Sequence, residues 1–139
     1  MRTVLLKGPI LSRSGYGEHA RSVFRALQSR PDLYDIYVEP TIWGKTPWSH
    51  NVSDENKEIF KCINKRMQFQ GTMNLSLQVM IPNEWTNIAE KNIGVTAGIE
   101  TDLASETWVQ FCKDIDHVIV VSNHAKNVFL NSVYKDKVK

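Results

Sequence analysis

The sequence has little cysteine, no long apolar run and no excess of one charge. Its two cysteines, Cys62 and Cys112, lie far apart and share no CxxC or Cys/His ligand spacing. They read as buried thiols of a reducing compartment rather than as a disulfide staple. No segment approaches the roughly 18–20 apolar residues of a membrane span. The N-terminal stretch Met1-Arg2-Thr3-Val4-Leu5-Leu6-Lys7 is too short for a signal-peptide core and runs into Gly8-Pro9. A cytoplasmic location is expected. Basic and acidic residues number 17 and 15, a net charge of +2, which leaves no general footprint for nucleic acid. No strong basic amphipathic helix is visible, so only peripheral membrane contact stays open.

Motifs are missing too. His19, His50, His117 and His124 form no HxxxH or HExxH set, so no metal site is expected. There is no GxxxxGK[ST] phosphate loop and no GxSxG elbow. Gly15-Tyr16-Gly17 starts a GxGxxG pattern, but Ala20 holds the third glycine position. A phospho-receiver domain needs an acidic pair after its first strand, and here that place reads Lys7-Gly8-Pro9. The chain shows no internal repeat, low-complexity tract or interdomain linker.

What is present is an alternation of strand-like and helix-like segments. The 139 residues, 42% hydrophobic and 23% charged, suit one folded domain with a sizeable core. Val4-Leu5-Leu6 is a short apolar run of the kind buried in a parallel sheet. Tyr16, Ala20, Val23, Phe24 and Leu27 recur at helical spacing, with Arg21 and Arg25 on other faces. Residues 34–38 predict a second strand. A long loop follows over 40–53, then a helix capped by Ser53 or Asp54 and carrying Ile59, Cys62, Ile63 and Met67. Residues 75–81 predict a third strand and 93–96 a short fourth. Ala104, Trp108, Phe111 and Cys112 mark a third helix. Residues 118–121 are a fifth strand, and Ser122 caps a last helix. The expected fold is α/β: a Rossmann-like open parallel sheet with helices on both faces, spanning 1–139.

Four loops that follow strands carry the polar and glycine residues, and all four fall on one edge of such a sheet. The loop from Gly8 to Gly17 reads either as a phosphate cradle at a helix N-terminus or as a turn that needs glycine geometry. Residues 1–30 favour an anion, with six basic side chains (Arg2, Lys7, Arg13, Arg21, Arg25 and Arg30) against one acid, Glu18. Pro82-Asn83-Glu84-Trp85 offers a carboxylate and an indole for a sugar-like ligand. It also reads as a helix start with Asn83 as cap. Glu100 and Asp102 offer hydroxyl ligands or a general base, or else the first turn of a helix. Ser122-Asn123-His124 combines a cap with a histidine that reads as cleft-facing or as solvated.

Taken in order, Ser14-Gly15-Tyr16-Gly17-Glu18-His19-Ala20-Arg21, Pro82-Asn83-Glu84-Trp85, Ile93-Gly94, Gly98-Ile99-Glu100-Thr101-Asp102 and Val120-Val121-Ser122-Asn123-His124 resemble the N-terminal domain of group 1 glycosyltransferases of the GT-B fold. The likeness covers nearly the whole chain. It implies one half of a two-domain enzyme that moves a sugar from a nucleotide-sugar to a glycan, lipid-linked or small acceptor. By the resemblance, Gly15, Tyr16 and Gly17 form the donor-phosphate loop. Arg13, Glu84, Trp85, Glu100, Ser122 and His124 line the acceptor side. No general base is assigned, and no cofactor is implied beyond the nucleotide-sugar as donor substrate. The C-terminal domain, with its Glu-x7-Glu motif, has no counterpart within these residues, which implies that the isolated chain is inactive.

Two other readings remain open. One is a non-enzymatic module that binds a sugar or a protein and self-associates through the exposed interdomain face. The other is a dinucleotide enzyme, for which Glu39 sits at the place of the ribose-binding acid.

Overall fold

A computed structural model of the chain describes residues 1–12, 14–41, 53–81, 84–96, 115–120, 123, 126 and 127. Its elements run β1 (Arg2–Gly8), α1 (Gly15–Gln28), β2 (Tyr34–Pro40), α2 (Asp54–Gln68), β3 (Met73–Val79), β4 (Ala89–Thr96) and β5 (His117–Val120). The five strands form one sheet in the order β2-β1-β3-β4-β5, and every pairing is parallel. The sheet is open and flanked by helices, a Rossmann-like α/β architecture. Among the described residues no helix is long and apolar enough to cross a membrane.

Helices α1 and α2 each begin on a serine. Ser14 accepts a hydrogen bond from the Gly17 N–H at 3.0 Å, and Ser53 accepts one from the Asn56 N–H at 3.1 Å. Each satisfies one of the donors that a first helical turn leaves open. The choice between Ser53 and Asp54 as cap therefore falls to Ser53. Helix α1 ends at Gln28, ahead of Pro31. The third helix expected around Ala104 and most of the last one lie outside the described residues. Asn123, Lys126 and Asn127 are helical.

The pairing register sorts the strands into two unlike faces. Val4 pairs with Ile36, Leu6 with Val38 and Leu77, and Val79 with Val95. These residues join Ala20, Phe24 and Leu27 of α1 and Ile59 and Cys62 of α2 in the main core. The other face carries Ser76 beside Asn92 and Gln78 beside Gly94. Ser76 and Gln78 are 0% exposed and Asn92 3%. In sequence, Asn74, Ser76 and Gln78 alternate with apolar residues as they do on a solvent-facing strand. Here the polar members at 76 and 78 are buried.

What buries them is the connection from β3 to β4. It has nine residues, 80–88, and must return the full length of a strand. Seven strand residues rise about 23 Å. Nine extended residues reach about 30 Å, whereas nine helical ones would span only about 13 Å. A helix is therefore too short for the return. No helix continues from the start expected at Asn83 and Glu84: Glu84 lies in a short 3₁₀ turn, residues 85–88 are irregular, and β4 opens at Ala89, four residues earlier than the sequence suggested. Pro82 and Asn83 themselves lie outside the described residues.

An irregular segment on a sheet face needs partners for its backbone. The Gln78 carboxamide supplies both for Thr86, donating to its carbonyl at 2.6 Å and accepting from its N–H at 2.8 Å. The Asn92 side chain accepts from the N–H groups of Ile88 and Ala89, each at 3.0 Å, and from the Ser76 hydroxyl at 2.8 Å. It donates to the Ala89 carbonyl at 2.9 Å. The Asn92 N–H donates to the Asp116 carboxylate at 2.7 Å, which ties β4 to the start of β5. The Trp85 indole lies flat on Gly94, where a Cβ would collide with the ring. Trp85, Met80 and Ile115 form a second small core with Val118.

At the other margin of the sheet, the Lys65 ammonium donates to Asp35 at 2.6 Å and stands 4.5 Å from the centroid of the Tyr37 ring. Burial pushes the Asp35 carboxyl up, but the hydrogen bonds from Lys65 and Tyr37 outweigh it and hold the group below its ordinary value.

Gln78→Leu is expected to lower stability by about 3 kcal/mol, because both Thr86 backbone groups lose buried partners. Gly94→Ala is expected to cost about 1–3 kcal/mol by overpacking against Trp85. Equilibrium denaturant unfolding measures both. Because the folded Asp35 pKa is depressed, its contribution to stability is present above the unfolded value of about 3.9 and is lost as pH falls through the folded one. Stability of the parent should therefore drop faster than that of Asp35→Asn between pH 5 and 2, read by thermal unfolding.

Candidate functional site

The strand order changes direction between β1 and β3. From β1 the chain moves outward to β2, then returns past β1 to build β3, β4 and β5. Open α/β sheets bind ligands outside the carboxyl ends of strands at such a switch point. The loop after β1 and the first residues of the 80–88 crossover leave the sheet there.

The glycine loop folds onto its own helix. Gly17 is buried against the Ser12 carbonyl and the Pro9 carbonyl, leaving no room for a Cβ. Arg21, one turn further on, reaches back under the loop. Its guanidinium donates to the Ile10 carbonyl at 2.7 Å, the Ser12 carbonyl at 3.1 Å and the Glu18 carboxylate at 2.5 Å. Arg21 is thus buried, although the helical spacing placed it away from the core face. The hydrogen bond from Arg21 holds the Glu18 carboxyl below its ordinary value. Neither Gly15 nor Gly17 has a positive φ; the described residue that does is Gly71, in the turn before β3. Gly17 is required by close approach, not by turn geometry. Gly15 is exposed, and nothing lies within 4 Å of where its Cβ would stand.

Tyr16 links this loop to the far side of the switch point. Its hydroxyl lies 3.0 Å from the Thr96 hydroxyl, at the carboxyl end of β4. The first turn of α1 and the end of β4 therefore meet over the sheet edge. The Ser12 and Ser14 hydroxyls are 3.1 Å apart at the same turn.

No protein-family model, curated protein or solved structure matches the chain. The site rests on its own geometry.

That geometry brings together Gly15, Tyr16 and Gly17 with Ser12, Ser14 and Thr96. Glu84 is exposed on the crossover, its N–H bonded to the Ile81 carbonyl at 3.0 Å. Trp85, expected to stack on a ligand, is instead 3% exposed and packs as the lid of Gly94. Arg13, Glu100, Asp102, Ser122 and His124 lie outside the described residues. Much of the positive balance of residues 1–30 is paired within the chain. Arg21 clamps its own loop, Arg25 grips Glu55 at 2.6 and 3.0 Å, and Arg30 pairs with Asp32 at 3.1 Å. Among the described residues no three His, Cys, Asp or Glu side chains gather as a metal site would require. Sequence reading passed over Thr96, whose signal was its place as the last strand residue before a glycine-bearing loop.

The two glycines should separate cleanly. Gly17→Ala is expected to destabilise by about 1–3 kcal/mol, since the collision is with backbone. Gly15→Ala, in open space at the start of the helix, should be neutral or stabilising by up to about 1 kcal/mol. Thermal unfolding of both variants reads the difference.

Proposed function

We propose that this chain is the acceptor-side, N-terminal domain of a glycosyltransferase with two facing α/β domains. The observation that carries the reading is the meeting of the Gly15-Tyr16-Gly17 turn and the carboxyl end of β4, held by the Tyr16–Thr96 hydrogen bond. It gathers the Gly15-Tyr16-Gly17 turn and the strand that precedes Glu100 in the sequence at one edge of a parallel sheet. The all-parallel, Rossmann-like sheet supports it further.

In this reading the intact enzyme displaces a nucleoside diphosphate from the anomeric carbon of a nucleotide-sugar. The acceptor, a glycan, a lipid-linked sugar or a small molecule, lies against Arg13, Glu84, Glu100, Ser122 and His124. The exposed backbone at Gly15 and the positive end of α1 face the departing diphosphate, where oriented N–H groups stabilise charge that grows in the transition state. The nucleotide-binding half belongs to a second domain. The protein works in the cytoplasm, where nucleotide-sugars are made available, with peripheral contact to a membrane when the acceptor is lipid-linked.

The 139 residues alone are expected to turn over no nucleotide-sugar. Sequencing the gene across the Lys139 codon is expected to find the frame running on for roughly 150–200 residues, one further domain, with a Glu-x7-Glu motif. Turnover by the chain alone, or a stop codon directly after Lys139, would overturn the reading.

A further inference from the structure

A cavity of about 210 Å³ opens where the carboxyl end of β2 meets the last turns of α2. Val38, Pro40, Ile63 and Met67 form its apolar wall, and Glu39 and Arg66 its polar side. Lys7, which pairs with Glu39 across the β1–β2 register, adds a second cation. The volume is below the roughly 300–1,000 Å³ of sites for drug-sized ligands, so an occupant is small.

The charges here are arranged unlike those elsewhere in the chain. Arg25–Glu55, Lys65–Asp35, Arg30–Asp32 and Arg21–Glu18 all close to between 2.5 and 3.1 Å. Glu39 stands 3.6 Å from the Lys7 ammonium and 3.6 Å from Arg66 Nη2. Both separations exceed the length of a hydrogen bond. Arg66 Nε is buried and has no hydrogen-bond partner. Leaving such a donor unmet is unfavourable. Arg66 and Glu39 thus line the cavity, Lys7 stands beside Glu39 outside the lining, and the Arg66 Nε is left without a partner. A planar fork is suited to bidentate pairing with a carboxylate or phosphate.

We propose that this cavity is a binding site for a small oxyanion carried on a short apolar body, a carboxylate or a phosphate ester. The Arg66 fork takes the oxyanion with help from Lys7, and the body lies against Ile63, Met67 and Pro40. Glu39 is the built-in competitor that holds both cations in place at long range while the site is empty. The site is at the outer margin of the sheet, on β2, and stands independently of the sugar-transferase reading.

The test is a titration of the full 139-residue chain with acetate, butyrate and inorganic phosphate at low ionic strength, followed by amide ¹H–¹⁵N spectra. Saturable shifts are expected at Val38, Glu39, Thr41 and the amides of residues 63–67. Butyrate should bind several-fold tighter than acetate because of the apolar wall. Arg66→Gln should weaken binding at least tenfold while the rest of the spectrum, which reports folding, is unchanged. Glu39→Gln should tighten it several-fold. Acetate binding ahead of phosphate assigns a carboxylate, and the reverse a phosphate ester; both support the site. Shifts that do not saturate or that centre elsewhere overturn it. So do equal affinities for butyrate and acetate, or parental affinity in Arg66→Gln together with an unchanged Glu39→Gln.

Discussion

The paired hydrogen bonds between the Gln78 carboxamide and the backbone of Thr86 allow a nine-residue connection to replace a helix on one face of the sheet. A parallel crossover ordinarily brings its own satisfied backbone in the form of a helix. An irregular crossover does not, and its N–H and C=O groups must be met by the sheet beneath. Gln78 and Asn92 meet them from two neighbouring strands, which is why a buried sheet face is polar here. With the segment held flat, Trp85 settles on Gly94, and β4 and β5 are joined through Asn92 and Asp116. The small core under the crossover depends on the same hydrogen bonds.

The glycine turn after β1 is held in a different way. Its backbone is packed against itself by Gly17 and by the Arg21 guanidinium, so the turn is preformed rather than shaped by a ligand. Preorganisation of that kind favours binding, because little ordering remains to be done. Arg21, the described cation that reaches into the turn, is committed to internal partners. At the end of β2, by contrast, Arg66 and Lys7 leave Glu39 at arm's length. The two candidate sites differ in chemistry: one is a backbone turn at the switch point, the other a cationic cavity at the sheet margin.

Much of the scaffold was legible from periodicity and caps. Val4-Leu5-Leu6, the stripe from Tyr16 to Leu27, Ser53 before a helix, and the alternation of strand and helix are local patterns. They follow from side-chain geometry within a few residues of sequence, and they determined the α/β class and the positions of β1, α1, β2 and α2. The connection from β1 to α1 was legible for the same reason, since it joins a buried strand to an amphipathic helix, although Gly15, Tyr16 and Gly17 prove to be the first turn of α1 itself.

Only the tertiary structure decided the rest, because it turns on partners distant in sequence. Gln78 and Ser76 look solvent-facing until the 80–88 segment is laid over them. Trp85 looks like a ligand platform until Gly94 is found beneath its ring. Arg21 looks exposed by helical spacing until the loop from Ile10 to Ser12 folds back over it. Tyr16 meets Thr96 across 80 positions of chain, and Glu39 comes to lie between Lys7 and Arg66 only through strand register and helix placement. A local pattern reports which face of an element is apolar. Whether a polar face meets water or a buried backbone is a property of what the fold places above it.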